Sequence, residues 1–242
     1  MRVGLIDIDY KGFPNIALMK LSAWHKRQGD AVEWYAAFGE RYDLVYVSKV
    51  FSFSPDYDLA INADRVEFGG TGYAISTVNG REIYSKEKDK DLPYEIEHTC
   101  PDCSLYADLT KDTAYGFLTR GCPRGCPFCI VGKKEGLCSK KVAELDEFWH
   151  GEKNIVLCDP NILAAAECES LLEQLAESKA CVDFNQGLDI RLMTEKKALL
   201  LKQIKKREVR FAWDKYQDGD KVLPKLQRWV NNRFVFASCK RF

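Results

Sequence analysis

Three cysteines crowd into one short stretch, Gly121-Cys122-Pro123-Arg124-Gly125-Cys126-Pro127-Phe128-Cys129, with Cys-x3-Cys-x2-Cys spacing. Thiolates are soft metal ligands. The glycines and prolines between them disfavour a helix and predict a tight loop that turns the sulfurs inward. A four-iron, four-sulfur cluster normally takes four cysteine thiolates. A loop that offers three at close range leaves one iron open to another ligand. An open position separates catalytic metal sites from closed structural ones, a rule stated for zinc and extended here to iron.

Two plainer uses of these cysteines fit less well. A zinc ribbon needs two Cys-x2-Cys pairs, and Cys100/Cys103 with Cys126/Cys129 would supply them. Residues 104–125 then form a gap of 22, longer than the usual 15–20 or so, and Cys122 is left over. Disulfides are disfavoured because no secretory segment precedes the cysteines.

The Cys-x3-Cys-x2-Cys loop, with aromatic Phe128 just before its last cysteine, resembles the signature of the radical S-adenosylmethionine (radical SAM) enzymes. The resemblance implies that Cys122, Cys126 and Cys129 hold a 4Fe-4S cluster and that Phe128 contacts the cofactor. It also implies that the open iron binds the amino and carboxylate groups of SAM. Reduction, by a carrier such as flavodoxin or ferredoxin, then cleaves SAM to methionine and a 5′-deoxyadenosyl radical, which abstracts hydrogen from a substrate. The substrate is not readable.

Such a loop must be delivered and backed by regular elements. From Tyr115 the chain repeats a strand–helix unit. Strands are predicted at 115–119, 154–158, 182–185 and 209–213, and a fifth begins at Phe234–Ala237. Helices are predicted at 142–150, around Cys168, Leu171, Leu172 and Leu175, around Leu200, Leu201 and Ile204, and at 222–230. Lys196, Lys197, Lys202, Lys205 and Lys206 read as a solvated outer face. Repeats of this kind predict a parallel (β/α) barrel with its chemistry at the carboxyl ends of the strands, where the cysteine loop falls. Radical SAM domains resemble a partial barrel of six units. This chain has about four and a half, which leads to the expectation of a truncated chain or an unusually short barrel.

The strand ends nominate the SAM site. Asp159 closes the second strand, where the family binds the SAM amine, although the Gly-Gly-Glu form of that motif is absent. Gln186 and Arg191 follow the third strand, Gln186 for the ribose or carboxylate and Arg191 as a bidentate carboxylate clamp. Asp214 follows the fourth. The structural alternatives are a helix cap for Asp159 and a surface pair with Glu195 for Arg191.

Residues 1–95 predict a separate α/β domain and linker, ahead of a catalytic region over 96–242. Strands at 2–9, 31–35, 44–47 and 64–68, with a helix over 15–28, suggest a doubly wound parallel sheet. Its ligand edge would carry Asp7, Asp9, Ser48 and the turn Gly69-Gly70-Thr71-Gly72, each equally a turn residue or cap. The segment resembles the cobalamin-binding-like domain that precedes the barrel in one radical SAM group. The cobalt-ligating Asp-x-His-x-x-Gly motif is absent and His25 falls within the helix, so little or no cobalamin binding is expected. Relatives with this domain also place cobalamin without that histidine. Residues 79–95 read as a charged linker.

Composition bounds the rest. The 242 residues are 46% hydrophobic and 30% charged, which suits a soluble globular chain. Thirty-six basic residues balance thirty-six acidic ones, leaving no strong nucleic-acid signal, and no apolar run is long enough for a membrane helix. Ten cysteines without a secretory segment point to the reducing cytoplasm. Cys158, Cys168, Cys181 and Cys239 read as small buried hydrophobes. Cys100, Cys103 and Cys138 have no assigned role. A non-catalytic iron–sulfur or zinc protein, or an inactive fragment, is the other reading. Reductive cleavage of SAM discriminates between them.

Overall fold

A computed structural model describes residues 1–231 and 237–238. The chain divides into two units, Met1–Thr110 and Lys111–Phe242.

In the first unit the apolar run at the start forms β1 (Arg2–Asp7), followed by α1 (Ile16–Arg27), β2 (Ala31–Trp34), β3 (Tyr42–Ser48) and β4 (Ala63–Gly69). All four strands are parallel, in the order β2-β1-β3-β4. Asn15 caps α1 by accepting from the Leu18 N–H at 3.2 Å, and His25, Lys26 and Arg27 complement the helix dipole at its other end. Gly29, at φ +82°, turns the chain out of the helix. Leu18 and Leu21 pack on Val3 and Leu5, while Ile6, Tyr42, Val45 and Val47 form a second core. His25 lies inside the helix as expected, buried between Asp30 (2.7 Å) and the Tyr46 hydroxyl (3.1 Å).

The domain division comes after Thr110 rather than after residue 95. Ile96 joins the core of Val3, Leu5, Leu18 and Leu21. Lys20 bonds Glu97, Ser22 and Lys26 bond Asp102, and Tyr106 donates to Asp7 at 2.5 Å. Nor is the stretch before it a bare linker: β5 (Ile75–Val78) and β6 (Arg81–Tyr84) pair as an antiparallel hairpin.

In the second unit β7 (Thr113–Gly116), β10 (Asn154–Leu157) and β11 (Cys181–Phe184) form a parallel sheet with β10 in the middle. Between them β8 (Thr119–Arg120) and β9 (Lys140–Lys141) pair antiparallel. Later, β12 (Val209–Arg210) pairs parallel with β13 (Ala237–Ser238), and a lone bridge from Leu188 to Phe211 links the third strand's exit to the fourth. The fifth strand is therefore present at 237–238. Residues 234–236 and Cys239 lie outside the described residues. The fold is mixed α/β with parallel sheets.

Helices α2 (Cys168–Glu177), α3 (Glu195–Gln203) and α4 (Gly219–Asn231) match the expected periodic segments. Leu171, Leu172 and Leu175 are fully buried. Truncating any of them to alanine costs about 2–5 kcal/mol, so their buried face anchors α2. The helix expected over 142–150 is absent. The segment makes one 3-10 turn, Leu145–Glu147, closed by a Glu144/Glu147 capping box. Phe148 is drawn instead onto Gly116, where an added Cβ would lie 2.5 Å from its ring. The lysine face is only partly solvated. Lys197 and Lys206 bond main-chain carbonyls, whereas Lys196 pairs at the surface with Glu169.

Candidate metal centre

Register sets the site. Leu157 of β10 pairs with Gly116 on one side and Phe184 on the other, so three strands end in one row. Just beyond that row lie Leu118 and Thr119, Cys158 and Asp159, and Asn185 and Gln186. The β8–β9 ladder closes the base of the 121–139 loop. Inside it, Cys122 N–H donates to Gly136 (3.1 Å), Cys129 N–H to Cys126 (3.0 Å) and Gly121 N–H to Glu135 (3.0 Å). Gly121 sits at φ +87°, and a Cβ there would lie 2.2 Å from the Cys138 carbonyl oxygen. Only glycine fits that turn.

Cys122, Cys126 and Cys129 are all partly exposed. Burial, then Asp214, then the thiols of Cys122 and Cys129 push the Cys126 thiol up, against the pull of Arg124. Among the described residues no three His, Cys, Asp or Glu side chains already converge as a metal site. The donor set nevertheless fits a cluster: soft thiols on one loop, with a turn that a Cβ would block.

The Asp159 carboxylate is engaged inside the protein. One oxygen accepts from Leu118 N–H (3.0 Å), and the other from Thr119 N–H (2.6 Å) and the Thr119 hydroxyl (2.5 Å). It is neither a helix cap nor open to solvent. Burial raises its pKa to about 6 against those three hydrogen bonds. Beside it, burial and then Asp159 push the Cys158 thiol up to about 12, consistent with an inert core cysteine. Cys168 is likewise buried, Cys181 only partly so, and Cys138 is exposed.

Arg191 pairs with Asp189 and Asp218, not with Glu195. Its Nε donates to Asp189 at 2.5 Å and its Nη1 to Asp218. Burial opposes the cation, but the two carboxylates outweigh it and hold its pKa above the ordinary value. Arg124, between the first two cysteines, joins the same group, donating to Asp218 at 3.1 Å and facing Asp189 at 3.6 Å. The cysteine loop is thereby tied to the exit of the third strand. Gln186 is exposed beside this cluster in sequence, and Phe128 is 64% exposed on the loop. Arg124, Asp218 and Asn161 were not singled out by sequence reasoning. The one available signal was position: Arg124 inside the motif and Asn161 two residues past Asp159.

In the first unit the ligand edge is largely filled from within. Tyr106 occupies Asp7, Asn15 donates to Ser48 at 2.8 Å, and Asp9 accepts from Val50 N–H, Phe51 N–H and the Ser54 hydroxyl. The Gly-rich turn lies directly on the Lys49 main chain, with a Cβ on Gly70 falling 2.3 Å from its carbonyl oxygen.

No protein-family model and no curated protein matches the sequence. Solved structures do match. One is the radical S-adenosylmethionine methyltransferase TsrM from Kitasatospora setae, with cobalamin and a 4Fe-4S cluster bound. The TM-score is 0.70 at 12% identity, covering 98% of this chain and 66% of that one. The likeness is therefore one of fold, a radical-SAM-like fold, and this chain spans 66% of the length of that protein.

Proposed function

We propose that the chain is a radical SAM enzyme whose 4Fe-4S cluster is held by Cys122, Cys126 and Cys129, acting on a substrate still to be identified. The observation that carries this reading is the Cys-x3-Cys-x2-Cys loop, clamped at its base and mounted at the carboxyl row of a parallel sheet within that fold. When bound and reduced by a carrier such as flavodoxin or ferredoxin, the cluster supplies the electron that cleaves SAM to a 5′-deoxyadenosyl radical. The second unit is read as the partial (β/α) barrel that presents it.

The protein's own residues hold the loop and receive SAM. Asp159 pins Leu118 and Thr119, the residues that lead into the loop, and so works by positioning rather than by meeting the SAM amine. Asp189, Arg191, Asp218 and Arg124 fix its other flank. Arg191, already forked onto two carboxylates, serves that frame in preference to clamping the SAM carboxylate. Exposed Phe128 and Gln186 remain for contact with SAM. For the first unit, the filled strand edge supports little or no cobalamin binding.

The test is anaerobic reconstitution followed by reduction with dithionite in the presence of SAM. Formation of 5′-deoxyadenosine, lost in Cys126→Ala, is the expected result. A loaded cluster that never cleaves SAM would identify a non-catalytic iron–sulfur protein.

A further inference from the structure

We propose that Asn161 is a positioning residue of the metal centre, whose side-chain amide donates a hydrogen bond to the Cys122 sulfur and sets the potential of the cluster held there. The inference rests on the proposed cluster reading.

Asn161 leaves β10 two residues after Asp159 and is 3% exposed. Its Nδ2 lies 3.6 Å from Cys122 Sγ. Its Oδ1 is buried with no hydrogen-bond partner. The main chain at this point is held independently, because the Asn161 carbonyl accepts from the Ser139 hydroxyl at 3.0 Å and from Ala164 N–H at 3.1 Å. The side chain is thus poorly explained as a fold-builder. A buried amide with one oxygen unpaired is a net cost, and an apolar group of the same shape serves packing as well or better. Its single hydrogen bond goes to a cysteine of the motif. Donors to cluster sulfurs orient the ligand and stabilise the more negative, reduced state, which raises the reduction potential.

The experiment compares wild type, Asn161→Leu and Asn161→Asp by two readouts. One is the melting temperature of the metal-free protein. The other is the midpoint potential of the reconstituted cluster, followed by its electron paramagnetic resonance signal. The Leu variant, which deletes the donor and the orphaned oxygen together, is expected to melt at or above the wild-type temperature with a more negative potential. The Asp variant, placing a carboxylate against the sulfur, is expected to shift the potential further in the same direction. A Leu variant that melts normally but loses its iron also supports positioning of the sulfur. A lower melting temperature for the Leu variant with an unshifted potential marks a structural residue and overturns the inference. A loaded wild type with unchanged potentials in both variants overturns it alone, whereas a wild type that takes up no iron overturns the cluster reading as well.

Discussion

Asp159 holds the entrance to the cysteine loop, accepting the Leu118 and Thr119 N–H groups across the row of strand ends. Its burial has a consequence for stability. With a folded pKa of about 6, above the ordinary carboxylate value of about 3.9, the native state binds more protons than the unfolded state between those pH values. Stability from this group is therefore full below about pH 4 and declines as pH rises to about 6, by on the order of 3 kcal/mol. Asp159→Ala removes that dependence. Urea unfolding of the metal-free pair should show the wild-type advantage over the variant shrinking between pH 4 and pH 7. A gap constant across that range would contradict the assignment. Spacing marked Asp159 as a strand-end acid without showing what it touches, and it could not show Arg191's partner Asp218, which lies on a separate turn that only the folded chain brings to it.

Among elements, several periodic segments formed where their patterns placed them. The β10, α2 and β11 segments carry their own patterns, an apolar run or buried leucines at helical spacing, and formed where expected. Residues 142–150 also carry apolar residues at helical spacing, yet Phe148 is claimed by the space over Gly116 and Val142 N–H by the Leu118 carbonyl at 2.8 Å. Tertiary packing won over local propensity. Residues 94–110 misled in the opposite sense, because a polar stretch hid Ile96, which joins the first core, and Tyr106, buried against Trp34 and Asp7. The cysteine loop was legible through its own breakers, and its geometry makes a prediction at this scale. Gly121→Ala forces a left-handed residue to carry a Cβ 2.2 Å from the Cys138 carbonyl oxygen, so the loop must open. That conformation alone costs about 1–3 kcal/mol. Iron per chain after reconstitution should fall severalfold while far-ultraviolet circular dichroism, dominated by the larger parallel sheets and the helices, stays near wild type. Full iron loading in this variant would show that the turn does not shape the site.

At the scale of the molecule, two units recur in a fold shared with a cobalamin-carrying methyltransferase, but shared fold does not carry shared ligands. The first unit's edge is occupied by Tyr106, Lys49 and the loop that Asp9 holds. Hydroxocobalamin mixed with the protein should therefore separate from it on gel filtration, leaving well under one equivalent bound. A cobalamin spectrum that stays with the protein at one per chain would mean that this edge opens.

The proposed cluster assembles on three thiols of one loop. Iron and acid-labile sulfide counted after anaerobic reconstitution test it most directly. About four of each per chain are expected in wild type and in Cys158→Ala, and near none in Cys122→Ala, Cys126→Ala or Cys129→Ala. One tetrahedral zinc per chain, with no iron retained, would contradict it.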